Sequence, residues 1–234
     1  VGPGKIDIDY ASLARRLEGE RIVVIDGYVG VDWEEFREAL DDEFIEMGIH
    51  PQWVDVSKAM LREAKIDKMA APFLGGNDPI FGKRFTGTLA DFFDFQKLAA
   101  LHGDWTAPLN IIYGCGAEIA SWAGCLVYVD MPKNELQFRA RAGAVCNLGK
   151  SRPQDPKTMY KRFYFVDWVA LNRHKRRLLP KIDVLVDGQR PDEPLFTEGD
   201  VFREALTSMS QNVFRVRPWF APGPWGGRWI KDKF

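Results

Sequence analysis

The stretch RIVVIDGYVGVDWEEFREAL, residues 21–40, carries the clearest indication of the fold of this chain. Its first six residues form a short, almost continuous apolar run, which is typical of a strand buried on both faces. Gly27 and Gly30 follow this run, and Asp32 then precedes a segment in which apolar residues recur at helical spacing. A buried strand, a glycine-containing loop and an amphipathic helix, in this order, predict the first β–α unit of an α/β protein.

The rest of the chain continues the alternation of strand and helix. Further strands are predicted at 52–56, 109–117, 125–131, 183–188 and 213–220. Helices are predicted at 57–70, 89–103, 132–143, 155–180 and 197–212. We expect Ser57 to cap the first of these helices and Pro132 to lie in the first turn of the third. This pattern predicts an α/β fold with a mostly parallel sheet and helices on both faces. Ligands of such sheets bind at the carboxyl ends of the strands, here Asp26-Gly27, Asp55, Gly114-Cys115 and Asp130.

Composition narrows the classes of function. The net charge is −1, so no overall electrostatic field attracts the chain to nucleic acid or to a membrane surface. No apolar run reaches the roughly 18 residues that a membrane span needs, and no secretory signal is recognisable. The three cysteines and three histidines have no metal-binding spacing, so we expect no metal site and reduced thiols. These features favour a cytoplasmic protein, with Cys115 a buried thiol rather than a reactive one.

The loop after the first strand is compared with a phosphate-binding P-loop, which reads G-x-x-x-x-G-K-[ST]. If Gly27 is its first glycine, Asp32, Trp33 and Glu34 stand where the motif has G-K-[ST]. Two carboxylates there would repel phosphate by about 1–4 kcal/mol at effective dielectric constants of 80 to 20. We therefore expect weak or no binding of Mg-ATP in the usual pose. The alternative, that this is a plain strand–turn–helix that never bound phosphate, stays open.

Five segments resemble uridine kinases and their phosphoribulokinase-like relatives. They are IVVIDGYVG, WVDV, FFDFQKLAAL, NIIYGCGAEIA and CLVYVDMP, and they occur in the order found in that family. The resemblance covers roughly residues 20–190 and implies a P-loop kinase-like fold. It departs from the family at the P-loop lysine and hydroxyl residue, and at Tyr113, which replaces an acidic residue. These departures favour a non-catalytic or remodelled kinase-like domain over an active phosphotransferase with an unusual phosphate loop.

The same resemblance implies roles for individual residues. Asp55 corresponds to the family's catalytic aspartate, Asp94 lies in its F-D-F-D segment, and Arg139 and Arg141 lie near its lid. The remaining candidates for contacting a cofactor or phosphorylated ligand are Gly27, Tyr28 and Gly30 in the first loop. The cofactor itself is not identified by the sequence.

Basic residues in two places provide candidate anion ligands. The segment NRHKRR, residues 172–177, places Arg173 and Arg176 three residues apart near the end of a predicted helix, and Lys83 and Arg84 lie in a glycine-rich loop. We predict that these four residues contact a phosphorylated small molecule. The alternative is a solvated basic face that complements the helix dipole.

The last residues differ from the rest in composition. We divide the chain into a kinase-like domain, residues 1–214, and an aromatic arm, residues 215–234, that contains Trp219, Phe220, Trp225 and Trp229. The segment PWFAPGPWGGRW resembles the opening strand of bacterial class I mannose-6-phosphate isomerases. This resemblance implies a following cupin domain and a sugar-phosphate isomerase of which this chain alone would lack the metal ligands. The alternatives are an arm that packs on its own domain or forms a homodimer, and a plain interaction module.

Overall fold

A computed structural model describes residues 4–78 and 80–213. Within these residues, seven strands form one sheet in the order β1-β7-β6-β5-β2-β4-β3. The strands are β1 Asp7–Ile8, β2 Ile22–Gly27, β3 Gln52–Asp55, β4 Asn110–Tyr113, β5 Cys125–Asp130, β6 Val184–Asp187 and β7 Leu195–Glu198. Strands β3, β4, β2, β5 and β6 are parallel, whereas β7 and β1 add an antiparallel edge. The predicted α/β fold with a mostly parallel sheet is confirmed, and the antiparallel edge was not anticipated.

Eight α-helices lie between the strands or after the last strand in this part of the chain. They are α1 Tyr10–Leu17, α2 Trp33–Glu46, α3 Glu63–Ala70, α4 Phe95–Ala99, α5 Lys133–Arg141, α6 Pro156–Arg162, α7 Trp168–Leu178 and α8 Gly199–Ser210. A π-helical segment, Phe163–Asp167, joins α6 to α7. The chain forms two compact units, one ending at Arg203 and one beginning at Glu204. No helix of the described residues combines the length and the hydropathy that crossing a bilayer would require.

The sheet has an apolar core on each face because alternate residues of a strand point to opposite sides. In β2, Val23 and Ile25 pack with α1 and α2, whereas Val24 packs with α3 to α7. All three side chains are at most 1% exposed, so the continuous apolar run does mark a strand covered on both faces. Asp32 caps α2 as expected, since its carboxylate accepts a hydrogen bond from the Glu35 amide at 3.1 Å.

Three predicted helix boundaries are wrong. The segment 57–70 is not one helix capped by Ser57: Asp55 caps a 3₁₀ turn, Val56–Ala59, and α3 begins at Glu63. The segment 89–103 is a 3₁₀ turn, Leu89–Phe92, followed by the short helix α4. Both helices are interrupted because Met60 and Phe93 adopt extended backbone and pair with each other in an isolated bridge. Pro132 precedes α5 as its cap residue rather than lying in its first turn.

The strand order changes direction at the carboxyl end of β2, where open α/β sheets have their crevice. From β2 the chain goes first to β3 and β4 on one side, and then crosses to β5 on the other side. In open α/β sheets the place where successive connections change direction is where ligands bind. Asp26 and Gly27 end β2 at this place, with Tyr113 of β4 and Asp130 of β5 at the ends of the neighbouring strands. The predicted arm, residues 215–234, and the predicted strand at 213–220, apart from Val213, lie outside the described residues.

Candidate functional site at the carboxyl ends of the strands

The ring of Trp33 lies against Gly27, at the start of the first loop. A side-chain carbon added at Gly27 would come within 2.8 Å of the Trp33 ring and 2.5 Å of the Val129 carbonyl oxygen. Trp33 also packs against Phe36 and Tyr113, with ring centres 6.1 and 6.4 Å apart. The residue that stands where a P-loop has its lysine therefore packs as an apolar side chain over the first glycine.

The rest of this loop is packed against the protein interior. Gly30 has a φ of +99°, a conformation that glycine adopts without strain, and a side chain there would lie 2.6 Å from Leu136. Tyr28 and Val29 are 2% and 5% exposed, so the loop turns its side chains inward. A cavity lined in part by Val31, Asp32 and Arg139 has a volume of about 10 Å³, which is room for about one water molecule.

Arg139 stabilises this loop through hydrogen bonds to the main chain. Its guanidinium donates to the Gly30 and Gln189 carbonyl oxygens, both at 3.0 Å, and pairs with Glu135 at 3.0 Å. Its side chain thus joins the loop after β2 to the turn after β6 and has few donors left for a ligand. Arg141, the second predicted lid residue, is exposed and makes no side-chain hydrogen bond or ion pair within the described ranges.

The most completely buried polar group at these strand ends is the carboxylate of Asp26, whose side chain is 0% exposed. Its Oδ1 accepts hydrogen bonds from the amides of Gly27 at 2.6 Å and Gly116 at 3.0 Å. Its Oδ2 accepts from the Glu118 amide at 2.9 Å and from His174 Nε2 at 2.8 Å. One carboxylate thus ties β2, the loop after β4 and α7 together.

The neighbouring arginine fixes the tautomer of neutral His174. Arg177 lies 3.3 Å from His174 Nδ1, and a guanidinium can only donate. In the neutral ring Nδ1 is therefore the acceptor, and Nε2 carries the proton that is donated to Asp26. Sequence reasoning treated the three histidines as scattered and did not find this pair.

Most side chains of the basic segment 172–177 contact other parts of the protein, although several of them are also exposed to solvent. Five of its six side chains make a hydrogen bond or an ion pair with another element of the fold. The pairs are Asn172 with Tyr28 (2.9 Å), Arg173 with the Gly87 carbonyl (2.6 Å), His174 with Asp26 (2.8 Å), Lys175 with Asp130, and Arg177 with Glu118. Arg176 is exposed, with no such contact to any residue in the described ranges. The end of α7 therefore lies across the ends of β2 and β5 and the loop after β4.

Asp55 has a local structural role. Its two carboxylate oxygens accept hydrogen bonds from the Ser57 amide at 2.8 Å and from the Ser57 hydroxyl at 2.7 Å. Tyr113, at the neighbouring strand end, has its pKa raised by burial and further by the charge of Asp55. Asp55 is half-buried beside the crevice, and its catalytic role stays a prediction.

The other predicted contacts are divided between capping and exposed positions. Asp94 caps α4 by accepting from the amides of Gln96 at 3.0 Å and Lys97 at 3.2 Å. Lys83 and Arg84 are exposed in the glycine-rich loop and make no side-chain hydrogen bond to other described residues. Arg173 contacts Gly87 of the same loop, so the structure brings one of the α7 arginines to the loop that carries this basic pair.

The thiols show no sign of activation. Burial raises the pKa of Cys115 to about 12, and the nearby charge of Asp26 acts in the same direction. A thiol with this pKa is protonated at neutral pH and is a poor nucleophile. Cys115, Cys125 and Cys146 are all free. The described residues contain no group of three or more His, Cys, Asp or Glu side chains arranged to hold a metal ion.

A family model described as a domain of unknown function, DUF8485, matches residues 9–211, which include every strand and helix named above except the first strand's Asp7–Ile8. The chain belongs to the DUF8485 family. No curated protein matches the chain.

Solved structures that resemble the chain include a protein described as a candidate fructose transport system kinase from Silicibacter sp. TM1040. The two share 16% sequence identity with a TM-score of 0.45, over 70% of this chain and 94% of that one. At this TM-score the likeness carries no argument about function, and the strand order described above is what defines the fold.

Proposed function

We propose that this chain is a kinase-like α/β domain that does not hold Mg-ATP in the P-loop pose and instead binds a phosphorylated small molecule without transferring a phosphoryl group. The kinase-like part rests on the sequence resemblance over residues 20–190. The observation that carries the non-catalytic part is the contact between Trp33 and Gly27. An indole cannot supply the positive charge that the P-loop lysine brings to the outer phosphates, and here it lies over the glycine that would approach them.

Charge at the start of α2 supports the same proposal. The amides of a helix N-terminus ordinarily favour an anion. Here Asp32 accepts the Glu35 amide, and Glu34 and Glu35 add two exposed carboxylates in the first turn. The exposed surface along this turn carries further acids, and its residues are Asp32, Glu34, Glu35, Glu38 and Asp42 together with Ala39. A triphosphate placed against this surface would meet several negative charges.

Mg-ATP should therefore bind weakly or not at all. In isothermal titration calorimetry with ATP and Mg²⁺, we expect a dissociation constant no tighter than about 1 mM, or −4.1 kcal/mol. A P-loop kinase titrated in the same buffer serves as the positive control. A dissociation constant in the low micromolar range, about −8 kcal/mol, would contradict the proposal and favour the active phosphotransferase.

The phosphorylated ligand is supported by cations that the fold leaves exposed. Lys83, Arg84 and Arg176 make no side-chain ion pair within the described part of the chain, and Arg173 reaches Gly87 of the loop that contains the first two. Exposed cations without an acidic partner attract a small anion. A plain interaction module would have no need of phosphate, and the absence of any thermal shift with phosphate or sugar phosphates would favour that alternative.

We further propose that residues 215–234 belong to a sugar-phosphate isomerase-like part, on the sequence resemblance of PWFAPGPWGGRW alone. Removing residues 218–234 should then leave the domain folded, with a melting temperature within a few degrees of the parent. It should also reduce any self-association seen by analytical ultracentrifugation. The 234-residue chain should not isomerise mannose 6-phosphate. A truncated chain that fails to fold, or measurable isomerisation by the intact chain, would contradict this proposal.

A further inference from the structure

The segment between α5 and α6 forms no helix or strand, and its residues 143–151, here called the strap, lie against α3 and α6. Among the described residues, its main-chain hydrogen bonds to other segments run only from Gly143 and Ala144 back to α5. Val145 and Leu148 are buried, at 9% and 4% exposed. Segments with so few main-chain hydrogen bonds open locally more readily than strands do, so side chains decide how firmly the strap is held.

A buried carboxylate–guanidinium pair holds the middle of the strap. Asp167 Oδ2 accepts hydrogen bonds from the Asn147 side-chain amide at 2.7 Å and from the Leu148 main-chain amide at 3.4 Å. Arg162 pairs with Asp167 at 3.3 Å and donates to the Leu148 carbonyl oxygen at 2.5 Å. Asp167, Arg162 and Asn147 are 0%, 3% and 2% exposed, so opening the strap would bring this pair into contact with water.

Lys150 attaches the end of the strap to α3. Its ammonium lies 2.9 Å from Glu63 and 2.7 Å from Asp67, and Arg162 reaches the same Asp67 at 3.2 Å. The hydrogen bond from Lys150 lowers the pKa of Glu63, which therefore stays ionised at neutral pH. With Asp167, the cluster contains three carboxylates and two cations, an excess of one negative charge. A proton on Asp167, the most buried of the three carboxylates, removes this excess.

The surroundings of Asp167 make it easier to protonate while the strap is closed. Burial raises the pKa of Asp167 to about 6, with Arg162 and Asn147 acting in the opposite direction. Asn147 Oδ1 is buried and has no hydrogen-bond partner among the described residues, and a proton on Asp167 would add a donor to the cluster. Tyr28 and Cys115 feel the charge of Asp167, but burial raises the pKa of both, so both stay neutral between pH 5 and pH 8. Water reaching the carboxylate in the open strap would return its pKa toward the ordinary 3.8.

We propose that the strap opens and closes with pH: it is closed when Asp167 carries a proton and opens more readily when Asp167 is ionised. The form that binds the proton more tightly is favoured as the pH falls, and here that form is the closed one. The opening is local to residues 143–151 and leaves the sheet folded. The inference goes beyond the proposed function and does not depend on it, because it involves neither the first loop's contact with a nucleotide nor the predicted anion ligands.

Hydrogen–deuterium exchange of the full chain, followed by NMR at pH 5 and pH 8, tests this opening. The exchange rate of each amide is divided by its intrinsic rate at the same pH, and the Val127 and Val129 amides of β5 report global unfolding. A proton bound with a pKa of about 6 in the closed strap and 3.8 in the open one makes the opening constant of the Leu148 and Lys150 amides about ten-fold larger at pH 8 than at pH 5. These two amides should also open more often than those of β5.

Three variants make the exchange experiment specific. Asp167→Asn removes the titrating group, so its strap should open equally at both pH values, whereas Asp187→Asn, the same change at an exposed position of β6, should keep the difference. Lys150→Met should raise the opening constant by about five-fold at both pH values and leave the exchange of β5 unchanged.

Three results would overturn the inference. The strap amides exchange only together with those of β5, the parent shows no difference between pH 5 and pH 8, or Asp167→Asn retains the difference. If Asp167→Asn does not fold, the pH dependence of the parent and the effect of Lys150→Met decide the question, and strap exchange in Lys150→Met equal to that of the parent would contradict the proposal.

Discussion

Replacing Asp26 with alanine should lower the free energy of unfolding by about 3–5 kcal/mol, the usual cost of breaking a buried charged network. The Asp26 carboxylate accepts four hydrogen bonds of 2.6–3.0 Å, from three backbone amides and from His174 Nε2. Alanine would leave all four donors buried or half-buried without an acceptor, and each orphaned donor costs about 1–3 kcal/mol before the structure relaxes. Urea denaturation followed by tryptophan fluorescence measures this change.

Two comparison variants make the Asp26 prediction specific. Asp26→Asn keeps one carbonyl oxygen as an acceptor but places an NH₂ group against the remaining donors. It should therefore lower the free energy of unfolding by less than Asp26→Ala does, but measurably below that of the parent. Asp187→Ala removes an exposed carboxylate at the end of β6 that, among the residues the structure describes, accepts only the Gln189 amide, and it should cost within about 1 kcal/mol. If Asp26→Ala cost no more than Asp187→Ala, the Asp26 cluster would not be the tie between β2 and α7 that the geometry describes.

Replacing Arg162 with methionine should cost a similar amount, about 3–5 kcal/mol at pH 8. Arg162 is 3% exposed; its guanidinium pairs with Asp167 at 3.3 Å and Asp67 at 3.2 Å and donates to the Leu148 carbonyl. Asp167 is 0% exposed, and burial raises its pKa from the ordinary 3.8 to about 6, with Arg162 acting in the opposite direction. Without Arg162, the Asp167 charge would lose its nearest cation.

The Arg162 prediction has a defined pH dependence. Because the pKa of Asp167 is higher in the folded chain than in the unfolded one, folding takes up a proton between these pKa values. The contribution of Asp167 to stability therefore rises as the pH falls through about 6 toward 3.8. The cost of Arg162→Met should accordingly be largest at pH 8 and smaller at pH 5, since a protonated Asp167 no longer needs a cation.

The double variant Arg162→Met/Asp167→Asn serves as the control for this charge effect. It removes both charges, so its stability should change little between pH 5 and pH 8 beyond what the rest of the chain contributes. A cost of Arg162→Met that is the same at both pH values would mean that lost packing, and not the buried charge, accounts for the effect.

The central β2–α2 unit is predictable from local sequence patterns. Its apolar run from Ile22 to Ile25 is typical of a strand covered on both faces, and Asp32 supplies a cap three residues before the amide it accepts. Caps and periodicities act over a few residues, so they can be read locally. The same local reading failed at 57–70 and 89–103, because Met60 and Phe93, which are 33 residues apart in the sequence, pair with each other.

The contacts at the strand ends depend on residues that are far apart in the sequence. Asp26 and His174 are 148 residues apart, and no local pattern links them until the strand order places α7 across the end of β2. The run NRHKRR is also compatible with a solvated face, because the sequence does not show which groups its side chains contact. The sequence showed that Trp33 replaces the P-loop lysine, but only packing showed its ring lying against Gly27. Helical and strand periodicity depend on neighbouring residues, whereas a site is formed by residues that the topology brings together.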